Sequence, residues 1–326
     1  MKTHSPPLKW GYIDRDGETV IPFQFDHAEP HSEGRAVVAS GGKKGCVDTT
    51  GNWVIPPSFD SLGGFRGGLA AAGRDDKEGY IDQTGHYVIQ PTFQSAYLFH
   101  GGLARVKIDG RFGYIDRSGD WVIPPCFQFA GDFADGRALV ANPKDYDQKW
   151  YIDREGRNVL GPFKAAEDFS DGWAAIQDAD ACYFIDAEGN TILRLPPGIY
   201  ASRFVDDVAA AEDFTKNTPR TKRGYINRSG GWVIPPQFDS AGTFRNGAAV
   251  VEVDDKYGLI GRNGRYIVPP EFRHLGDLAE GRVLFTRTGQ YGYLDHAGRV
   301  VIEGVYHLAQ QYSAGLAPVC QRQDEW

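Results

Sequence analysis

Ten carboxylates and one tyrosine crowd the middle of this 326-residue chain: Asp145, Tyr146, Asp147, Glu167, Asp168, Asp178, Asp180, Asp206, Asp207, Glu212 and Asp213. From Asn142 to Asp213, 7 Lys+Arg stand against 15 Asp+Glu, a net charge of −8. The whole chain also carries −8, so the remainder is balanced. A patch of one sign steers and holds a partner of the other sign. The plain alternative is a solvated face that keeps the protein in solution. Calcium chemistry is disfavoured, because "DYDQK" (145–149) lacks the third ligand, the glycine and the distal Glu of an EF-hand loop. Carboxylates this numerous also leave room for a glycosidase-like acid pair, the third and weakest reading.

Other chemistry is thin. No H-E-x-x-H, G-x-S-x-G, P-loop or dinucleotide fingerprint occurs. The eight His are scattered, and His27 and His31, four apart, fall in a connecting segment, so no metal or other cofactor is expected. Cys46, Cys126, Cys182 and Cys320 form no C-x-x-C pair and read as small apolar residues of a reducing compartment. There is no basic stripe for nucleic acid, no apolar run long enough to cross a membrane and no leader-like start. The expectation is a cytoplasmic protein without enzymatic activity.

The elements that carry these residues repeat. "GYIDRSGDWVIPP" (113–125) returns as "GYINRSGGWVIPP" (224–236). Anchored on its first glycine, the pattern starts nine units, near residues 10, 44, 78, 112, 149, 182, 223, 257 and 291. They form one array over 1–326, with poor and acidic copies at about 142–222. Asp at anchor +3 and Gly at +6 predict a tight hairpin, in which the carboxylate binds turn N–H groups and glycine takes positive φ. The flanks, "GYID" and "WVIP", are strand-like. A third strand follows, with a small apolar face, as in "GLARVKI" (102–108). Linker aromatics such as Phe59, Phe93 and Phe127, then Phe65, Phe99 and Phe133, read as plugs between units. Trp53, Tyr87, Trp121, Trp232 and Tyr266 sit at anchor +8, as a packing ladder or a sugar-stacking platform.

The W-G-Y-I-D-x-x-G-x-W-V-I-P pattern at a period near 34 resembles the bacterial WG-containing repeat family, from residue 10 to about 320. The Trp-Gly pair is intact only at Trp10-Gly11; the Trp slot elsewhere holds Lys44, Glu78, Phe112, Arg223, Tyr257 and Tyr291. The resemblance implies a non-enzymatic interaction module and supplies no catalytic residues. The preferred architecture is an all-β array of nine three-stranded antiparallel repeats in an open superhelical solenoid. The alternative is a closed propeller-like ring, in which the last strand, "GLAPVC" (315–320), completes the first unit. The preferred function is a scaffold for a basic protein, of the kind an immunity protein would mask, and the alternative is a glycan or cell-wall binding module.

Overall fold

The computed structural model describes residues 7–144, 147–178, 181–215 and 221–322. Among these the regular structure is entirely β, and no helix is long and apolar enough to cross a membrane. The hairpin chemistry explains the local structure. At Asp116, Oδ1 accepts the N–H groups of Ser118 (2.9 Å) and Asp120 (3.0 Å). The Asp116 carbonyl accepts the Gly119 N–H at 3.1 Å, and Gly119 sits at φ 93°. Asn227 makes the same side-chain bonds to Ser229 and Gly231 at 3.0 Å, because an amide oxygen accepts as a carboxylate does.

Each repeat contributes to four strands, not three. The additional strand is two residues long in most copies, for example Ser95–Ala96 ahead of Ala104–Ile108, Arg111–Ile115 and Trp121–Phe127. Ser95 pairs with Lys107 and Ala96 with Val106. Two residues cannot display a period of two, so this strand reads as linker in the sequence. Nine such sheets follow one another, and we number them as blades in chain order: 27–59, 61–93, 95–127, 129–163, 165–194, 199–238, 240–272 and 274–306, then the closing blade.

The closing blade overturns the open solenoid. Its order is Thr19–Phe25, Leu8–Ile13, Ala317–Arg322, Leu308–Ala309. Trp10 pairs with Cys320 and Gly11 with Val319. This is the strand topology of a nine-bladed closed β-propeller. The sequence repeat is out of step with the blade, so the first two strands and the last two strands complete each other. Closure satisfies backbone groups that an open stack would leave on two raw edges.

Contacts gather the chain into two compact units, one of residues 1–91, 256–259 and 266–326, the other of residues 92–255 and 260–265. The first holds the closing blade and blades 1 and 8. The second holds blades 3 to 6.

Blades lock through the tyrosine of "GYID". The buried Tyr12, Tyr114, Tyr225 and Tyr293 donate hydroxyl protons to the carbonyls of Glu29 (2.8 Å), Gly131, Gly242 and Gln310 (each 2.7 Å) on the next blade. Tyr151 does the same to Glu167. Each of these rings also meets a linker aromatic edge-on: Tyr114–Phe133 at 4.9 Å, Tyr225–Phe244 at 4.7 Å and Tyr293–Tyr312 at 4.9 Å. Tyr12 meets His31 instead, at 5.0 Å. His31 is 4% exposed and its Nδ1 has no hydrogen-bond partner.

Candidate functional site

The acidic residues do not form one face. Asp145, Tyr146 and Asp180 lie outside the described residues. Asp147 and Asp178 are exposed. Asp206 and Asp207 precede the strand Val208–Asp213, while Glu212 and Asp213 end it. Four residues of strand separate these pairs, a step from Asp207 to Glu212 of roughly 17 Å.

Most of these acids already have partners. Arg262 pairs with Asp206 at 2.9 Å and Arg228 Nε with Asp207 at 2.7 Å. Asp213 Oδ1 accepts the Thr215 N–H at 2.9 Å and the Thr215 hydroxyl, pinning the bend after its strand. Glu212 forms an ion pair with Arg223.

Glu167 and Glu212 do meet, in a cleft of about 700 Å³. Blade 5 contributes Glu167 and Gln177, and blade 6 contributes Tyr200, Ser202, Glu212, Phe214 and Arg223. The blade 6 strands Ile199–Ala201 and Val208–Asp213 position Tyr200 and Glu212 as cross-strand partners. Phe214, 53% exposed, sets its ring perpendicular to that of Tyr200, with centroids 5.6 Å apart. Ser202 Oγ donates to the Ala210 carbonyl at 3.3 Å.

The charge on this wall is unbalanced. Glu167 Oε2 accepts the backbone N–H of Arg203 at 2.9 Å. Burial pushes the Glu167 carboxyl above its usual range; Arg203 opposes this and Asp168 adds to it. Asp168 is also raised, by burial and then by Asp132, against the pull of Arg203, Arg105 and His100. Asp132 is held by Arg105 Nε at 2.9 Å and lies 3.5 Å from His100 Nε2. Gly131 permits the crowding, since a Cβ there would come within 2.9 Å of Asp168 Oδ1. Of the residues that line the cleft, two are carboxylates (Glu167, Glu212) and one is a guanidinium (Arg223), while Asp168, Asp132, Arg105 and Arg203 belong to the charged group around Glu167 and not to the lining. Such a wall suits a cation.

The anchor +8 aromatics stand elsewhere, each opening the last strand of its blade. Trp53, Trp121 and Tyr266 are 41%, 40% and 45% exposed. Trp53 and Trp121 rest edge-on against Phe25 and Phe93 of the preceding blade, at 5.7 and 5.9 Å, and Tyr87 against Phe59 at 5.8 Å. Arg74 also covers Tyr87 at 5.9 Å. Trp232 packs against the blade 5–6 core. Among the described residues no group of three or more His, Cys, Asp or Glu could hold a metal ion.

In the sequence, charge singles out Glu167 and Glu212, and nothing marks Tyr200, Phe214 or Arg223 as site residues. Tyr200 and Phe214 fall where the repeat pattern fails, so no phase relation marks them.

Comparison with known structures reinforces the fold. A crystal structure of a eukaryotic initiation factor is 10% identical, with a TM-score of 0.59 over 91% of this chain and 95% of that one. At that identity the likeness concerns fold alone. BamB from Moraxella catarrhalis (12% identity, TM-score 0.43, 97% of this chain and 98% of that one) and the dihydro-heme d1 dehydrogenase NirN (14%, 0.46, 90% and 77%) are more distant and carry no argument here. No curated protein sequence matches. The WG containing repeat matches residues 10–43, 45–77, 79–112, 112–142, 224–257, 257–287 and 291–323, and the chain belongs to that repeat family.

Proposed function

We propose that this protein is a non-enzymatic binding scaffold for a basic partner protein, engaged through the blade 5–6 cleft. The observation that carries the reading is the surplus carboxylate on the cleft wall beside an exposed aromatic ring. Position supports it too: Glu167, Gln177, Tyr200, Glu212, Phe214 and Arg223 all fall between the fourth and fifth matched repeats. A scaffold can relax its repeat pattern where a binding surface replaces a packing surface. A basic cytoplasmic effector or toxin held inactive is the partner type this suits.

The test is capture from the native host, with the partner identified and its binding remeasured with purified components. The expected partner is basic, and its affinity falls steeply between 50 and roughly 300 mM salt as surface charge is screened. Salt-insensitive binding, or an acidic partner, overturns the reading. The glycan alternative rests on the exposed flanks of Trp53 and Trp121. We rank it second because those rings already pack between blades. A glycan array with Trp53→Ala and Trp121→Ala tests it, and no binding by the native chain ends it.

A further inference from the structure

The cleft is shaped for something narrower than a basic surface. We infer that it accepts a single arginine side chain, its guanidinium lying on the Phe214–Tyr200 pair and reaching the Glu167 carboxylate. This deepens the scaffold reading and rests on it.

Three observations converge. First, the lining carries two carboxylates, Glu167 and Glu212, against one guanidinium, Arg223, and Arg223 is engaged with Glu212, which leaves one carboxylate over. A singly charged guest restores balance, whereas an anion meets a like field. Second, Phe214 is 53% exposed although it closes on Tyr200 at 90°. One wall of the cleft is therefore an open aromatic surface, and a planar, weakly hydrated guanidinium stacks on such a surface better than a compact ammonium does. Third, Glu167 is half-buried, and the one described hydrogen bond to its carboxylate, on Oε2, comes from a backbone N–H and not from a cation. Burial raises its carboxyl in spite of the pull of Arg203, and a guanidinium would supply two donors in one plane. The volume of about 700 Å³ holds a side chain with its flanking peptide groups.

The experiment titrates N-acetyl-arginine amide, N-acetyl-lysine amide and N-acetyl-citrulline amide into the full chain by calorimetry. Citrulline keeps the shape of arginine and removes its charge. The expected order is arginine above lysine, with citrulline at least about tenfold weaker than arginine, the size of one charge-assisted contact. Glu167→Gln and Phe214→Ala should each weaken arginine binding about fivefold or more. Phe214 is exposed, so its variant should keep the parent melting curve and show that the fold survives.

Equal binding of citrulline and arginine overturns the inference, as does arginine binding that neither variant changes. Absence of arginine binding, with or without binding of a neutral oligosaccharide, overturns it equally. The two readings fail separately: a basic partner whose affinity ignores Glu167→Gln removes the arginine pocket and leaves the scaffold standing, while a partner of another charge removes the scaffold reading.

Discussion

Blades 3 and 5 start from the same template and solve the same strand junction differently. In blade 3, Phe112 pairs with Phe127 and Tyr114 with Ile123, so Gly113 alone faces three residues of the outer strand. That bulge brings backbone onto backbone: a Cβ on Gly113 would stand 2.6 Å from the Ile123 carbonyl oxygen. In blade 5, Tyr183 pairs with Arg194 and Phe184 with Leu193, in plain register. The wide bulge at the glycine slot is gone, leaving only the one-residue shift between Phe184 and Ile185, and a tyrosine occupies that slot. Blade 4 is intermediate. Lys149 pairs with Phe163 and Tyr151 with Leu160, so Trp150 faces two residues. There the glycine has crossed to the outer strand, as Gly161, where a Cβ would meet the Lys149 carbonyl oxygen at 2.8 Å. The glycine of the repeat therefore answers to the bulge, not to the tryptophan beside it. That tryptophan slot tolerates Lys44, Phe112 and Arg223, each paired with a phenylalanine across the sheet.

The sharpest break of this comparison is Gly113→Val, expected to cost about 3 kcal/mol or more, because backbone on both sides must move. Tyr183→Val, at the same slot in blade 5, where the register runs through that slot without a bulge, should cost about 1–2 kcal/mol through lost packing alone. Denaturant midpoints of the two variants decide it, and equal losses would sever glycine from bulge. Next comes Gly119→Val, which forces a β-branched residue to φ 93° and should cost about 1–3 kcal/mol. An unchanged melt would mean that the turn is not strained.

A smaller effect tests the latch between blades. Tyr225→Phe keeps the ring against Phe244 and removes the donor to the Gly242 carbonyl, at an expected cost of about 1–2 kcal/mol. Blade 5 already lives without this bond, because Phe184 fills the slot and packs on Phe204 at 4.8 Å. Phe184→Ala should consequently cost more than Tyr225→Phe, by loss of ring volume.

The smallest expected effect concerns pH. His31 occupies the slot of Phe133 and Phe244, with Nε2 3.4 Å from the Asp48 carbonyl. Burial holds its imidazole below the usual range, and Asp48 opposes this in part. The groups around it are Tyr12, the Asp48 hairpin, and Ser313, whose hydroxyl donates to the His31 carbonyl. Glu33 and Arg35 on its own segment are turned to Gly67, Gly68 and Gln83. The unfolded chain takes up a proton near pH 6.5 that the native site refuses. Stability therefore falls as pH drops through that value toward the lower native one. His31→Phe should flatten the melting temperature between pH 7 and 5; identical slopes for variant and parent would discount His31.

Much of the architecture was legible because the hairpin is written in two residues. Asp116 and Gly119 fix a turn by local hydrogen bonding and backbone freedom, and the glycine's nine recurrences, seven of them with the aspartate, announce a β array. The two-residue strand, such as Ser95–Ala96, was illegible, because its pairing is bought by neighbours and not by its own pattern. In the cleft, Glu167 and Glu212 stood out as charge, but their meeting depends on which strand ends two blades bring together. Asp206 and Asp207, equally acidic, were carried to the opposite end of the same strand.

By itself, then, the sequence determined the repeat, the turns, the all-β class and the apolar faces, since each follows from interactions within a few residues. Only the tertiary structure decided that Leu8–Ile13 pairs with Ala317–Arg322, and so that the array closes. That pairing joins residues some 300 apart by backbone hydrogen bonds, which are chemically alike at every strand and carry no side-chain mark of their partner.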